Sequence, residues 1–258
     1  MDLGLKNQNV LITGGSKGIG LACARVFLAE GAQVALVSRS QENLNAAQKE
    51  LGNVYTIAAD LTDATAAAAM VDRVEKEFGA LDVLVNSAGA AKRTDADDLT
   101  PAAWRAGMDA KYFSYINVMD PVIKRMGKRG HGAVINVIGS GGKVASPTHL
   151  AGGAANAALL LATAGLAYAY ASKGVRVVGV SPGVTKTERV AQGLKAEAKR
   201  ANVTEEQAYK QMIARLPMGR PAEPDEIANI VVFAASERGR YLTGANISTD
   251  GAASHVVI

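Results

Sequence analysis

Residues 13–20 read Thr13-Gly14-Gly15-Ser16-Lys17-Gly18-Ile19-Gly20, a glycine-rich turn between an apolar run and a helix-favouring run. The apolar residues 10–12 predict a buried strand before the turn. Gly14 permits a tight turn, and Gly18 and Gly20 let the backbone come close to a ligand or a neighbouring strand. The first N–H groups of the following helix have no partner within it, so they suit an anionic group. A glycine-rich turn alone is a weak signal, and its meaning depends on the rest of the chain.

Strand-like and helix-like segments alternate along the whole chain. Strands are predicted over Asn9–Ile12, Gln33–Ser38, Asn53–Ala58, Val83–Asn86, Ala133–Ile138, Arg176–Ser181 and Asn246–Thr249. Helices are predicted over Ile19–Glu30, Gln41–Leu51, Ala64–Phe78, Pro101–Met126, Gly153–Ser172 and Asp225–Ser236. This alternation indicates an α/β fold, a Rossmann-type doubly wound parallel sheet of about seven strands with helices on both faces. We expect residues 1–258 to form a single domain.

Composition excludes several classes of protein. The chain is 48% hydrophobic and 20% charged, which suits a soluble globular core. Its net charge of +4 favours an anionic ligand, but the basic residues are scattered and no aromatic platform accompanies them, so nucleic-acid binding is not expected. The single cysteine, Cys23, excludes an intrachain disulfide and fits a small buried helix residue. No metal site is indicated.

The N-terminal residues 1–9 lack the apolar segment of a secretory signal. No apolar run was expected to reach the ~20 residues that a membrane span needs. These observations predict a cytoplasmic protein with no membrane partner.

The glycine-rich turn lies in a strand–helix–strand unit of the size that binds dinucleotides. In such units a carboxylate at the end of the second strand binds the ribose hydroxyls and repels a 2′-phosphate. Here that strand ends in Ser38-Arg39, without an acid, and Lys17 lies in the turn. Two cations and a hydroxyl favour a phosphate, so the predicted cofactor is NADP(H). Arg39 as a solvated surface charge is the alternative.

Further segments, in order along the chain, resemble the short-chain dehydrogenase/reductase family, and in particular its bacterial 3-oxoacyl-[acyl-carrier-protein] reductase branch. They are Asn86-Ser87-Ala88-Gly89, Pro182-Gly183-Val184-Thr185-Lys186-Thr187, Met218-Gly219-Arg220-Pro221, Glu223-Pro224-Asp225-Glu226-Ile227-Ala228, Leu242-Thr243-Gly244 and Asp250-Gly251. The resemblance implies a hydride transfer between the cofactor and a carbonyl or alcohol substrate. It also implies a cofactor site made of Gly14, Ser16, Lys17, Gly18, Ile19, Gly20, Ser38, Arg39, Asp60, Leu61, Asn86, Ala88, Gly89, Pro182, Gly183, Val184 and Thr187.

The family's catalytic residues are missing. It uses a Tyr and a Lys four residues apart on one helix, preceded by a Ser at a strand end. The ungapped comparison places Gly139 at the Ser position, Gly152 at the Tyr position and Asn156 at the Lys position. Ser140 is one residue away and is the candidate for orienting the carbonyl.

Lys111 occupies the position where the family has an Asn, counted from Trp104. The Asn and Lys of the family are therefore exchanged between Lys111 and Asn156, and the exchange would keep an ammonium near the ribose. The alternative is two unrelated changes, with Lys111 pointing to solvent.

His149 is the candidate proton donor, because imidazole titrates near neutral pH and Gly152 leaves space for a ring from one turn earlier. A loop histidine without a role is the alternative. Tyr112 and Tyr115 are more often packing residues, and His131 and His255 lie elsewhere. Tyr170 and Lys173 resemble a Tyr/Lys pair, but their spacing is three and they lie at the far end of the helix.

These observations predict a divergent oxidoreductase with an atypical active site. A catalytically inactive NADP(H)-binding sensor or scaffold is the second hypothesis, and a non-redox reaction in the same pocket is the third. The charged segment 186–217 is interpreted as a substrate lid, with a pair of surface helices as the alternative. The resemblance also implies a homodimer or homotetramer.

Overall fold

The computed structural model describes residues 1–89 and 91–256, apart from the side chain of Ala196. Within these residues seven parallel strands form one sheet in the order β3-β2-β1-β4-β5-β6-β7. The strands are β1 Asn9–Thr13, β2 Gln33–Ser38, β3 Tyr55–Ala58, β4 Val83–Asn86, β5 Gly132–Val137, β6 Val175–Pro182 and β7 Asn246–Thr249. The α-helices are α1 Gly18–Ala29, α2 Gln41–Leu51, α3 Ala64–Phe78, α4 Pro101–Met108, α5 Ser114–Arg129, α6 Leu150–Tyr170, α7 Glu188–Ala201, α8 Glu205–Ala214 and α9 Pro224–Ala235. The predicted doubly wound α/β fold is confirmed.

The helices cover both faces of the sheet. On one face, side chains such as Phe27 of α1 and Val231 of α9 pack in a buried cluster with Ile12. On the other face, Val71 of α3 and Val118 of α5 pack around Leu84 and the neighbouring strands. The central strands are apolar along their length because both of their faces are buried. The order of strands reverses beside β1, and the carboxyl ends of β1 and β4 open a crevice there, where ligands bind in folds of this kind.

One predicted helix is divided. The single helix expected over Pro101–Met126 is two helices, α4 and α5, joined by the π-helical turn Asp109–Phe113. Such turns widen a helix locally and are frequent at functional sites. This turn carries Lys111 into the interior, which a regular helical pattern does not foretell.

The segment 186–217 folds as two helices, α7 and α8. Thr204 caps α8 reciprocally with Gln207, since each side chain accepts from the other residue's backbone N–H. Among the described side chains of the two helices, Ala198 and Ala208 are the buried ones. The segment therefore contributes little to the apolar core.

The stretch Leu150–Lys173, mostly α6, is long and apolar enough to cross a membrane by length and composition. The expectation that no apolar run approaches that length was therefore wrong. One such helix is weak evidence, because a core helix of a globular protein meets the same criteria. Here Leu159 and Ala167 of α6 are buried in the protein interior.

Cys23 is fully buried in α1, as predicted from the helix pattern. Burial raises the pKa of its thiol to about 12. Its thiolate, the reactive form, is therefore not populated near neutral pH.

Candidate active site

The glycine-rich turn is shaped by close backbone contacts. A Cβ on Gly20 would lie 2.3 Å from the Gly14 carbonyl oxygen, and one on Gly14 would lie 2.8 Å from Ala88 Cα. Gly14 and Gly18 also have φ values of +65° and +56°, which favour glycine. No side chain caps α1 and its first turn contains no acid, so this helix end is free to accept an anion. The turn therefore fits the pyrophosphate of a dinucleotide.

A pocket of about 210 Å³ opens beside this turn at the carboxyl ends of β1, β2 and β4. The predicted cofactor residues that line it are Gly14, Ser38, Arg39, Asp60, Leu61, Ala88 and Gly89. Thr62, Ala110 and Ser114 line it as well, and the motifs did not point to them. Both the backbone N–H and the hydroxyl of Thr62 donate to the Asp60 carboxylate, which lowers the pKa of Asp60 below its usual range. Asp60 is therefore a charged, oriented acceptor at the pocket wall.

The two cations of the predicted phosphate site are arranged differently from each other. Arg39 lines the pocket, whereas Lys17 Nζ lies 3.0 Å from Glu188 Oε2 at the start of α7. Both members of this ion pair are more than half exposed, so it is weak and easily exchanged. Arg39 is the cation placed at the end of β2, and Lys17 links the turn to the start of α7.

A buried polar chain connects the cofactor side of the site to α6. Asn86 Nδ2 donates to Asn136 Oδ1 at 3.0 Å, and Asn136 Nδ2 donates to Thr163 Oγ1 at 3.0 Å. The N–H groups of Ser87 and Ala88 donate to Thr13 Oγ1. Asn86 therefore acts through its side chain as a brace of the strand ends, while the backbone after it faces the pocket.

The loop after β6 closes over the glycine-rich turn. Its backbone is fixed by Ala222, which donates from N–H to the Val184 carbonyl and accepts from Lys186 N–H. A Cβ on Gly18 would lie 3.3 Å from Thr187 Cγ2, so Thr187 is in direct reach of the turn. Pro182 ends β6, and a Cβ on Gly183 would lie 2.9 Å from Asp250 Cβ. The structure thus brings this predicted segment to the glycine-rich turn, while the side chains of Ser16 and Ile19 do not line the pocket.

Lys111 is buried in the π-helical turn and does not point to solvent, which excludes the alternative of a surface lysine. Its Nζ donates to Tyr115 Oη at 2.7 Å and to the Val137 carbonyl at 3.0 Å. Tyr115 Oη in turn donates to the Val137 carbonyl at 2.6 Å. Burial, and to a lesser degree the charge of Arg189, lowers the pKa of Lys111 to about 7. No carboxylate in the described chain offsets that desolvation, so the ammonium is poised near neutrality.

Tyr115 is fully buried against Ile138 and Leu159, so it packs as predicted. Burial raises its pKa far above the usual range, which keeps its hydroxyl neutral. Tyr112 packs on the same cluster and meets the ring of Phe113 edge-on.

The His149 ring occupies the space above Gly152. A Cβ on Gly152 would lie 2.1 Å from His149 Cε1 and 2.6 Å from Nε2. His149 precedes α6, and its Nδ1 is buried without a hydrogen-bond partner in the described protein. Burial and, after it, the charges of Arg93, Lys111 and Arg189 lower the pKa of His149 below its usual value. The ring is therefore neutral near pH 7. It occupies the space that the first atoms of a side chain at position 152 would fill.

Asn156 is buried one turn after Gly152, and its Oδ1 has no hydrogen-bond partner in the described protein. A Cβ on Gly139 would lie 3.4 Å from Asn156 Nδ2, and one on Gly141 would lie 3.1 Å from His149 Cδ2. Ser140 follows Gly139 and begins a short 3₁₀ turn. The predicted catalytic residues after β5 and in α6 are therefore grouped around these glycines, while Lys111 approaches from the π-helical turn.

Two arginines near the site were missed in the sequence. Arg189, in the first turn of α7, directs Nη1 toward the Gly89 carbonyl at 3.5 Å. Arg93 Nη1 donates to Thr148 Oγ1 at 3.3 Å, beside His149. Arg93 lies in an irregular segment and Arg189 in the first turn of α7, and no local sequence pattern indicated either of them.

Other sequence predictions concern residues outside this group. Lys173 Nζ lies 4.7 Å from the ring centre of Tyr170 at the far end of α6. In the described residues no group of three or more His, Cys, Asp or Glu side chains is arranged for a metal ion.

A family model described as enoyl-(acyl carrier protein) reductase matches residues 14–253. A 3α-hydroxysteroid dehydrogenase of Mediterraneibacter gnavus is 32% identical over 255 residues, covering 96% of this chain and 98% of its own length. The 3-oxoacyl-[acyl-carrier-protein] reductase FabG of Thermotoga maritima is 30% identical over 251 residues, with coverage of 96% and 98%.

Solved structures agree with these sequence relatives. L-Sorbose reductase from Gluconobacter frateurii, complexed with NADPH and L-sorbose, superposes with a TM-score of 0.92 at 28% identity, and each chain is covered completely. The matches extend over nearly the whole chain, and the relatives are dehydrogenases and reductases of alcohol and carbonyl compounds. The chain therefore belongs to the short-chain dehydrogenase/reductase family.

Proposed function

We propose that this chain is an NADP(H)-dependent oxidoreductase that interconverts a carbonyl compound and an alcohol through an atypical catalytic site. The observation that carries the proposal is the position of the His149 ring over Gly152. Its ring fills the volume that Gly152 leaves free and keeps Nδ1 buried and unpartnered. A titratable ring with an unpartnered nitrogen at this position is our candidate for the proton-transfer group in place of the absent Tyr.

The cofactor supplies or accepts a hydride when it is bound. The open N-terminus of α1 would hold its pyrophosphate, and Asp60 and Leu61 would contact the adenine side. Arg39 and Ser38 at the end of β2, with no acid there, favour a 2′-phosphate and hence NADP(H). Lys17 would join them by exchanging Glu188 for the phosphate.

His149 handles the proton in this proposal. In alcohol oxidation the neutral ring accepts the hydroxyl proton, and in carbonyl reduction the protonated ring returns it to the developing alkoxide. Because the pKa of His149 is lowered, the neutral form dominates at pH 7. The neutral ring is the form that acts as the base in alcohol oxidation.

Lys111, Asn156 and Ser140 complete the site. Lys111 has used two of its three N–H donors on Tyr115 and Val137, and we propose that the third faces the ribose side of the cleft. Asn156 offers its unpartnered Oδ1 as an acceptor beside His149. Ser140 is proposed to orient the substrate oxygen.

We also propose assembly as a homodimer or homotetramer through α6. Leu161 and Tyr168 on this helix are 77% and 91% exposed. A Cβ placed on Gly165, which lies between them, would have no neighbouring atom within 4 Å. An apolar, small-residue face of this kind is suited to close contact with a second helix.

The first experiment is a fluorescence titration of the purified protein with NADPH and NADH, followed by turnover assays on a panel of ketones and alcohols. NADPH binding in the micromolar range, much weaker NADH binding and His149-dependent turnover are expected. Tight NADPH binding without any turnover would refute the enzyme and leave the sensor or scaffold as the function. Failure to bind either nucleotide would refute the cofactor site itself.

A further inference from the structure

Three cations converge on the space around His149. Arg93 is anchored to Thr148, the residue before His149. Lys111 approaches from the π-helical turn, and Arg189 approaches from the first turn of α7 across Gly89. They come from three separate segments of the chain. Gly89, which Arg189 contacts, lies directly against the carbonyl of Ala110, the residue before Lys111. The charges of all three also act on the His149 ring. The cleft therefore has a positive wall on more than one side.

This positive charge has no internal counterpart among the described residues. None of Arg93, Lys111 and Arg189 forms an ion pair with a carboxylate there. Two carboxylates near these segments, Glu188 and Asp95, pair instead with Lys17 and Arg200. Among the residues that the structure describes, the Arg189 guanidinium makes one hydrogen bond, a 3.5 Å contact to the Gly89 carbonyl, so most of its N–H donors are available to a ligand.

From this arrangement we infer that the substrate is itself an anion, a ketone or alcohol that carries a carboxylate or phosphate a few bonds from the reacting carbon. Arg189 binds the anionic group, and Arg93 assists at the cleft entrance. The guanidinium fork suits either oxyanion, since both accept paired N–H···O bonds. The inference rests on the proposed function, and it adds the chemical class of the substrate to it.

An anionic substrate would also balance the positive charge in the cleft. It offsets the repulsion that the cations exert on one another and on a protonated His149. A neutral substrate would leave that repulsion in place. If the segment 186–217 acts as the lid that the sequence predicts, Arg189 would join substrate binding to its closure through one side chain.

The test compares matched substrates that differ only in charge. With NADPH, kcat/KM is measured for 4-oxopentanoate against its methyl ester, and for dihydroxyacetone phosphate against dihydroxyacetone. We expect one anion to exceed its neutral partner by about 100-fold, which also identifies the anionic group. Arg189→Gln is expected to reduce that ratio by about tenfold or more. Arg215→Gln, an exposed arginine just after α8, is the matched control and leaves the ratio unchanged.

A binding measurement separates this inference from the proposed function. Calorimetric titration of the protein with 4-oxopentanoate or dihydroxyacetone phosphate, with NADP⁺ present and absent, reports binding without turnover. Arg189-dependent binding of an anion without reduction of any ketone would support the anionic site and refute the enzyme. Turnover of ketones with no preference for charge would refute the anionic site and support the enzyme. Loss of NADPH affinity in Arg189→Gln with an unchanged substrate ratio would assign Arg189 to the cofactor and overturn the inference.

Discussion

The cofactor side and the catalytic side of the cleft are built in opposite ways. Around residues 13–20 the backbone is packed so closely that Cβ atoms do not fit, and the polar side chains behind it are joined in a hydrogen-bonded chain. Around Gly152 the packing leaves two buried polar atoms, His149 Nδ1 and Asn156 Oδ1, without a protein partner, and it buries Lys111 without a counterion. Close packing therefore fixes the backbone geometry on the cofactor side. On the other side, polar atoms remain without protein partners and could bond to a substrate.

The largest expected effect comes from removing the proton-transfer ring. His149→Gln is expected to lower kcat by about 100-fold to 10,000-fold while NADPH still binds, because only the proton step is affected. Alcohol oxidation by the parent protein should increase as the pH rises through a value below 6.5, where the ring becomes neutral, and then stay level. The pH profile of kcat measures this, and its loss in the variant is the matching control.

Gly152→Ala is expected to displace the His149 ring without changing residue 149 itself. The new Cβ would overlap His149 Cε1 at 2.1 Å, so kcat should fall with almost no further loss in the double variant with His149→Gln. Gly193→Ala, an open position in α7, is the control for a glycine substitution within a helix. Additive losses would separate Gly152 from His149 and weaken the proposed role of the ring.

Gly20→Ala tests the rigid side of the cleft. A Cβ 2.3 Å from the Gly14 carbonyl forces the turn apart, so NADPH affinity should fall by about 100-fold. Fluorescence titration of the nucleotide measures the loss, and circular dichroism confirms that the sheet is retained. An unchanged dissociation constant would show that the turn does not hold the cofactor.

Lys111→Met tests the buried ammonium through stability. The pKa of Lys111 falls on folding from its ordinary 10.5 to about 7, so at pH 7 the unfolded chain binds more protons and folding is penalised. The variant should be more stable at pH 7 by about 2 kcal/mol, or roughly 4–8 °C in Tm, and less active. The advantage should shrink as the pH rises from 7 to 10, because the parent protein then becomes more stable. A Tm that falls at pH 7 would indicate that Lys111 is a stabilising residue instead.

The smallest expected effect is at the cofactor-selecting position. Arg39→Gln should weaken NADPH about tenfold and NADH by less than twofold, because an exposed arginine contributes about one charged hydrogen bond to the 2′-phosphate. Arg105→Gln, exposed on α4, is the control. Equal losses for both nucleotides would show that Arg39 does not read the phosphate.

The sequence predicted most of the fold because its turns and apolar runs are local signals. The strands Gln33–Ser38, Val83–Asn86 and Asn246–Thr249 and the helices Gln41–Leu51 and Ala64–Phe78 have the predicted bounds. The strand expected from Asn53 begins at Tyr55, since pairing with β2 starts there. Apart from the helix predicted over Pro101–Met126, which is divided into α4 and α5, the other predicted elements differ from their bounds by a few residues at the ends.

The site divides in the same way. Glycine positions could be predicted because a missing Cβ is a direct constraint on backbone geometry. The π-helical turn, the burial of Lys111 and the approach of Arg189 depend on contacts between distant segments, and residue spacing contains no information on them. The i, i+4 relation of Lys111 and Tyr115 places them on one helix face but does not say that this face is turned inward.

The ring seated on Gly152 has a consequence for how such proteins are recognised. In the sequence, Gly152 looks like the loss of a catalytic residue. In the structure, the space that its missing side chain leaves is occupied by the ring of His149, three residues earlier. The proposed proton-transfer group would then have moved along the chain while the volume that it occupies stayed the same. Asking which functional group enters that volume, whatever its position in the chain, is a way to examine this idea in other members of the family.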